Sequence, residues 1–101
     1  MQRFESWART RLSHRFSLAA AAKAVGSSKR TLARRMESVL GKSPLSYVQA
    51  LRVERAVYLL KTTQATVDEV ALRVGYSDGS ILRVLLRREL GVGIREIRRV
   101  S

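Results

Sequence analysis

The chain has 101 residues, enough for one domain or for two very small units that share a long element. Hydrophobic residues make up 46% of it and proline occurs once, so the composition predicts a folded core rather than a disordered chain. There are 20 basic and 8 acidic residues, for a net charge of +12, and no cysteine. The lack of cysteine excludes disulfides, thiolate chemistry and cysteine-based zinc sites.

The positive charge indicates an anionic partner. Arginine supplies 16 of the 20 basic residues, and its planar guanidinium suits bidentate contacts to phosphate and guanine. A domain as basic as this one has the electrostatic character of a nucleic-acid binder. A basic module that binds a protein partner or an anionic membrane surface is the alternative, because charge alone does not choose among these partners.

Other classes of site find little support in the residues. The single histidine, His14, has no second ligand at metal spacing, so we expect no metal and no cofactor. The longest apolar run, residues 18 to 22, is far too short for a membrane span, and no signal-peptide pattern opens the sequence. We therefore expect a soluble, cytoplasmic protein without a membrane partner.

Three helices are predicted in the first part of the chain, where hydrophobic residues recur with helical spacing. Ser17 can cap the second helix, which Gly26 ends, and Ser28 can cap the third, which runs to Leu40 and ends at Gly41. The inward positions of the first two are Phe4, Trp7, Ala8, Leu12, Leu18, Ala21, Ala22 and Val25.

A long central helix is predicted next. Pro44 is favoured at the first position of a helix, and Ser43 before it can act as the cap. The helix runs to about Lys61, longer than the usual mean of about 11–12 residues, so we expect it to span two halves of the molecule. Its packing positions are predicted to be Leu45, Val48, Leu51, Leu59 and Leu60.

Three more helices are predicted in the second half. Thr66 and Glu69 have the spacing of a capping box, and Gly75 ends the helix that they begin. Asp78 can cap the next helix, which Gly91 ends, and a short helix follows. The inward positions are Val67, Val70, Ala71, Val74, Ile81, Leu82, Leu85, Leu86, Leu90, Ile94 and Ile97.

The two halves repeat each other. Gly26 recurs as Gly75, 49 residues later, and three further positions recur at a shift of 50. These are Leu32, Leu40 and Gly41, matched by Leu82, Leu90 and Gly91. Each copy reads as a short helix, a glycine-containing turn and a longer helix, which is the helix-turn-helix layout; a generic pair of helical hairpins would give a similar pattern.

The predicted fold is therefore all-α, with about seven helices that form two helix-turn-helix subdomains joined by a central linker helix. We predict one DNA-binding domain over residues 1–101. Within it, residues 1–43 form the first helix-turn-helix unit, residues 44–61 the linker helix and residues 66–101 the second unit.

The second helix of a helix-turn-helix unit enters the major groove of DNA. At 100° per residue, the third helix of this chain has an inward side formed by Leu32, Met36, Val39 and Leu40. Arg30 and Arg34 lie on the opposite side, one turn apart, so that both guanidinium groups project in the same direction. The base-reading candidates are Arg30, Ala33 and Arg34, and the phosphate candidates are Ser28, Lys29, Arg35 and Ser38. A merely solvated basic face is the alternative.

The corresponding helix of the second half has fewer polar candidates. Its outward positions are Ser80, Arg83, Val84 and Arg87. Ser80, Arg83 and Val84 are the base-reading candidates, Val84 through contact with a thymine methyl group, and Arg83 and Arg87 can also hold phosphates. We expect less base discrimination here and more contact with the DNA backbone.

An enzyme is not indicated. Asp68 and Glu69 are the only adjacent acidic pair, and a helix N-terminus explains their position electrostatically. The sequence shows no nucleophile–base set and no glycine-rich phosphate loop, so no catalytic residues are predicted.

Three segments carry a resemblance to a known family. They are residues 28–36 (SKRTLARRM), residues 40–56 (LGKSPLSYVQALRVERA) and residues 67–78 (VDEVALRVGYSD). The first resembles a recognition helix, the second a linker region and the third the start of a second helix-turn-helix unit. Over about residues 16–99 the chain is similar to the C-terminal DNA-binding domain of the AraC/XylS family of bacterial transcription regulators.

The resemblance implies two recognition helices that enter successive major grooves on one face of double-stranded DNA. It also implies control of transcription, usually activation through contact with RNA polymerase, and an N-terminal effector-sensing domain as a further partner outside this chain. The family's base-reading positions correspond to Arg30, Ala33 and Arg34 in one helix and to Gly79, Ser80, Arg83 and Val84 in the other.

The sequence departs from the family's pattern in its second half. The family commonly has an aromatic residue at the positions of Leu82 and Leu86, an arginine at that of Val84 and a proline at that of Ile94. These departures concern base reading by the second unit, whose contribution to specificity we expect to be the smaller of the two.

Overall fold

The computed structural model describes residues 2–99. Within that range the chain forms seven α-helices joined by short loops, and no strand. They are α1 (Gln2–Thr10), α2 (Leu18–Ala24), α3 (Lys29–Leu40), α4 (Pro44–Thr62), α5 (Val67–Arg73), α6 (Gly79–Leu90) and α7 (Ile94–Arg99). The described residues divide into two compact units, and the boundary between Leu51 and Arg52 falls within α4.

The five helices from α2 to α6 begin at the residues that the sequence predicted. The side chains of Ser17, Ser28, Thr66 and Asp78 accept hydrogen bonds from backbone N–H groups in the first turns of α2, α3, α5 and α6. Ser43 does the same for α4, where the N–H of Ser46 donates to its hydroxyl oxygen at 3.1 Å. These contacts satisfy N–H groups that have no partner inside the helix.

Two of the helices end at the glycines that were predicted to stop them. Both α3 and α6 end at a glycine in the left-handed conformation, Gly41 with φ 68° and Gly91 with φ 72°. A residue with a Cβ rarely adopts this conformation, so these two positions stop the helices with little strain only as glycine.

The first unit packs α1, α2, α3 and the start of α4 around one core. Its buried residues are Phe4, Ala8, Ala21, Ala22, Leu32, Met36, Val48 and Leu51. Phe4 is its largest side chain, with its ring centroid 5.6 Å from that of Tyr47 and 6.1 Å from that of Trp7. The small alanines of α2 allow α3 to approach closely and bury Leu32 and Met36 completely.

The second unit has its own core, built from the rest of α4 with α5, α6 and α7. Its buried residues are Val53, Ala56, Leu59, Leu60, Val70, Ala71, Val74, Leu82, Leu85, Leu86 and Ile97. The guanidinium of Arg98, on α7, donates to the carbonyl oxygens of Thr63 and Ala65 in the loop before α5. The last helix is thereby tied to the start of the helix-turn-helix.

Some predicted core positions are exposed. Val39, Leu45, Ile81 and Leu90 are between 46% and 64% accessible, and Leu12 lies beyond α1, half-buried. The four exposed residues occupy the first or last turn of α3, α4 or α6, whereas the 100° rule assigns a side of the helix but not how far the neighbouring helices extend along it. The fold class itself is confirmed: all-α, with two helix-turn-helix subdomains joined by a central linker helix.

Candidate nucleic-acid interface

In the first unit, α3 has one buried side and one charged, exposed side. Leu32 is 1% exposed and Met36 is 0% exposed. Arg30, Arg34 and Ser38 are exposed on the opposite side, and Ala33 is half-buried at its edge. The structure therefore brings together the two arginines predicted to read bases and keeps both in contact with solvent.

At the start of α3, Ser28 acts as the predicted helix cap as well as being a candidate for phosphate contact. Ser28 is exposed, but its hydroxyl accepts a hydrogen bond from the N–H of Thr31 at 3.2 Å and donates to Thr31 Oγ1 at 2.9 Å. Lys29 and Arg35 are exposed. Arg35 also borders a cleft of about 240 Å³ together with Arg3 and Ser27, residues that the sequence did not single out.

In the second unit, α6 is held by Leu82 and Leu86, both completely buried, and by Leu85 at 4% exposed. Its four predicted contact positions, Ser80, Arg83, Val84 and Arg87, are all exposed. Val84 is 65% exposed, an unusual position for a β-branched apolar side chain and one that is open to a partner.

Gly79 does not belong to this exposed surface. It is buried against the start of α5, and an ideal Cβ would lie 2.7 Å from Asp68 Oδ1 and 2.8 Å from Val67 Cγ1. The family resemblance assigned base reading to this position, but here it packs two helices together and presents no side chain. Ser80 is the first residue of α6 that can face a ligand.

A cleft next to α6 collects three arginines. It measures about 360 Å³ and its lining includes Arg83, Arg87 and Arg95, with one carboxylate, that of Glu96. Arg95, which lies on α7, is not among the residues that the sequence predicts to contact DNA. The only local signal was the arginine content of the last six-residue helix, and helical spacing cannot relate that helix to the one before it.

Charge is distributed unequally between the units. Residues 2–51 contain ten basic and two acidic residues, whereas residues 52–99 contain ten basic and six acidic residues.

Glu69 is one of those six acidic residues. A hydrogen bond from the backbone N–H of Thr66 lowers the pKa of its carboxyl below the ordinary value of 4.5, and a hydrogen bond with the Thr66 side chain lowers it further. Its charge is therefore used in capping α5.

The described part of the chain offers little support for other kinds of site. No three His, Cys, Asp or Glu side chains in it come together as a metal would require, and His14 is exposed. None of the helices between residues 2 and 99 is both long and apolar enough to cross a membrane.

Two units of short helix, turn and exposed basic helix define a double helix-turn-helix protein. A family described as "Helix-turn-helix domain" matches residues 21–100, most of the chain. The chain belongs to this family, in its AraC-type branch, as the resemblance predicted.

Relatives of known name support this membership. The transcriptional activator RhaS of Escherichia coli K12 is 38% identical over 69 residues, which cover 68% of this chain and 25% of that protein. The chain thus spans about a quarter of the length of the curated relatives it matches.

Solved structures share the whole fold. An AraC-type transcriptional regulator from Chromobacterium violaceum has a TM-score of 0.92 at 28% identity, covering 97% of this chain and 88% of that one. The DNA-binding domain of AdpA, solved in complex with a target DNA, has a TM-score of 0.87 at 35% identity, covering 96% and 87%. The C-terminal domain of AraT from Geobacillus stearothermophilus has a TM-score of 0.90 at 26% identity, covering 99% and 84%.

Proposed function

We propose that this chain binds double-stranded DNA sequence-specifically in bacterial transcription regulation, with α3 and α6 as recognition helices in successive major grooves. The observation that carries the proposal is the exposed pair Arg30 and Arg34, held outward by the buried Leu32 and Met36. AdpA, a relative in this family, has been solved with its DNA, and RhaS is an activator of transcription. Both support the same activity here.

We assign different roles to different positions. The base-reading residues are Arg30, Ala33 and Arg34 on α3, with Ser80, Arg83 and Val84 on α6. The phosphate contacts are Ser28, Lys29, Arg35, Ser38 and Arg87. Guanine offers O6 and N7 to an arginine, while phosphate contacts fix position without reading sequence. Because the Ser28 hydroxyl caps α3, its contact would come through the hydroxyl's remaining lone pair or its backbone.

The proposed domain organisation is the one predicted from the sequence. It is one DNA-binding domain over residues 1–101, with helix-turn-helix units at 1–43 and 66–101 and a linker helix at 44–61. We further propose that the chain is not an enzyme and acts in the cytoplasm, where bacterial DNA lies. RNA polymerase and an N-terminal effector-sensing domain are its proposed protein partners, by analogy with the full-length activators of the family.

A second function has one observation in its favour. α6 exposes Ile81, Val84 and Leu90, each at least 46% accessible, beside its arginines. Apolar and basic residues on one helix are typical of a helix that binds a membrane surface or a protein groove. DNA binding is favoured over this because the first unit has the larger net positive charge, and the exposed apolar residue of α3, Val39, lies in the last turn, away from Arg30 in the first turn.

The test is selection of duplexes from a random pool, followed by fluorescence anisotropy with the recovered duplex. Binding should favour that duplex over a scrambled one and should fall steeply with salt, by roughly 10³–10⁵ between about 50 and 200 mM for six to ten phosphate contacts. Affinity for anionic liposomes that exceeds affinity for the duplex, or duplex binding that is insensitive to salt, would contradict the proposal.

A further inference from the structure

The cleft between α6 and α7 has the chemistry of an anion site. Three arginines line it, Arg83, Arg87 and Arg95, against a single acidic residue, Glu96. Arg83 and Arg87 are one helical turn apart on α6, so their side chains project from the same side. Arg95 approaches from a different helix, which makes the cluster a product of the fold rather than of one charged helix face.

The loop between the two helices leaves room for one of these arginines. A Cβ on Gly93 would lie 2.9 Å from Arg87 Nη2, closer than ordinary contact. Because Gly93 has no side chain, the guanidinium of Arg87 rests against the loop and borders the cleft.

We propose that this cleft holds a backbone phosphate of the duplex, and that Arg95 is a DNA-contacting residue of the second unit. Guanidinium groups bind phosphate oxygens with paired, charge-assisted hydrogen bonds. The inference rests on the proposed DNA-binding function and deepens it. It also favours for Arg83 the phosphate contact that the sequence allowed beside base reading, whereas the base-reading roles of Ser80 and Val84 do not involve the cleft.

Two matched pairs of variants test the cleft against general charge. Arg95→Ala is compared with Arg99→Ala, since both residues are exposed on α7 and only Arg95 borders the cleft. Arg87→Ala is compared with Arg88→Ala, since Arg88 lies outside it and pairs with Glu89 at 3.8 Å. We expect each cleft variant to bind the selected duplex about tenfold more weakly, the size of one hydrogen bond to a charged group. Each control should lose much less.

Neutral methylphosphonate linkages, placed one at a time in the selected duplex, identify the phosphate. At one position the replacement should weaken the unaltered protein about tenfold but have little further effect on Arg95→Ala. At the other contacted phosphates, the replacement should weaken binding by the unaltered protein and by Arg95→Ala to the same extent. The proposal is overturned if no methylphosphonate linkage weakens the unaltered protein more than it weakens Arg95→Ala.

Two substitutions act on the cleft without removing an arginine. Gly93→Ala displaces the Arg87 guanidinium, so it should weaken binding severalfold at unchanged net charge and should add nothing in an Arg87→Ala background. Glu96→Gln removes the opposing carboxylate, so it should tighten binding. Equal affinity of Gly93→Ala and the unaltered protein would count against the cleft.

A free phosphate ion has the same chemistry as the duplex backbone, so the two sources are separated by competition. Inorganic phosphate should displace the selected duplex no better than chloride at equal ionic strength. If phosphate competes specifically and Arg95→Ala abolishes that competition, the cleft is a site for the free ion and our assignment is wrong. If the unaltered protein binds no duplex, the proposed function itself is wrong. If it binds the duplex but Arg95→Ala and Arg99→Ala have equal affinities, only the assignment of the cleft is wrong.

Discussion

The carboxylate of Asp68, at the start of α5, accepts a hydrogen bond from the backbone N–H of Gly79, at the start of α6, at 2.7 Å. The two residues are eleven positions apart and belong to the two helices of one helix-turn-helix unit. The bond satisfies an N–H that the helix itself leaves without a partner, and it requires that the two helix starts lie very close together. The contact therefore links the starts of the two helices directly.

Gly79→Ala should disturb that contact. The new Cβ would lie within 3 Å of both Asp68 Oδ1 and Val67 Cγ1, so these two side chains must shift and the hydrogen bond from Gly79 to Asp68 is disturbed. We expect the free energy of unfolding to fall by about 1–3 kcal/mol, measured by urea denaturation. Ser80→Ala, one residue later and exposed, is the matched control and should stay within about 0.5 kcal/mol.

Removing the Asp68 side chain provides a second test of the close contact at Gly79. Asp68→Ala alone should cost about 1 kcal/mol, the net value of one hydrogen bond. It also removes the nearest obstacle to a Cβ at position 79, so Gly79→Ala should cost less in the Asp68→Ala background than in the unaltered protein. Strictly additive losses would show that the close approach does not limit residue 79.

The capping box of α5 should make stability depend on pH. The pKa of Glu69 is lowered in the folded protein, so its charge stabilises the fold above the ordinary pKa and ceases to do so as the pH falls through the folded value. Glu69→Ala should therefore be less stable than the unaltered protein near neutral pH, and the difference should shrink below about pH 4.5. Thermal unfolding of both proteins from about pH 7 to about pH 3 measures it.

Glu69→Gln is the companion variant. Glutamine can still accept the Thr66 N–H, as capping boxes allow, so at neutral pH it should lose less stability than Glu69→Ala. A stability gap between Glu69→Ala and the unaltered protein that is the same at both ends of the pH range would show that the carboxylate charge contributes nothing.

Continuity of α4 is tested at Ala56, which is completely buried in the second unit. Ala56→Pro removes a helical N–H and places the ring against the preceding turn, so it should cost about 3 kcal/mol or more. Ala56→Gly, which keeps the N–H, should cost about 1 kcal/mol from backbone propensity. Urea denaturation compares the two, and a proline variant as stable as the glycine variant would mean that α4 is not a rigid helix at this point.

Local chemistry explains how much of the fold the sequence predicted. Serine, threonine and aspartate caps act within three residues, and glycine stops act within one turn, so Ser28, Asp78 and Gly91 mark helix ends without knowledge of the fold. Hydrophobic spacing likewise identified the buried sides of α3 and α6. The 49- and 50-residue shifts then indicated two copies of one unit.

Contacts between distant residues were not predictable in the same way. Arg52 is 5% exposed, with its guanidinium 5.1 Å from the Tyr76 ring centroid, although its position in the sequence resembles that of any surface arginine in a basic protein. Arg95 joined the site only because α7 folds beside α6. Gly79 carried a signal, the absence of a side chain, but that signal does not distinguish an open reading position from a close helix contact.

We expect α3 to provide most of the sequence specificity. α3 presents Arg30 and Arg34, whereas α6 offers the buried Gly79 and the apolar Val84 near its start. Contacts from an arginine to a base edge discriminate between base pairs by about 1–3 kcal/mol each, while phosphate contacts stabilise every sequence alike. Replacing Arg34 should therefore reduce sequence discrimination, whereas replacing Arg87 should weaken binding to every sequence alike.

The most direct measurement is the affinity of Arg34→Ala and Arg87→Ala for the selected duplex and for a scrambled duplex, at one fixed salt concentration. Arg34→Ala should lose about 1–3 kcal/mol more on the selected duplex than on the scrambled one. Arg87→Ala should lose the same binding free energy on both duplexes. It should also reduce the slope of log affinity against log salt concentration by about one phosphate contact. Equal losses on the two duplexes for Arg34→Ala would make Arg34 a phosphate contact and would contradict the account.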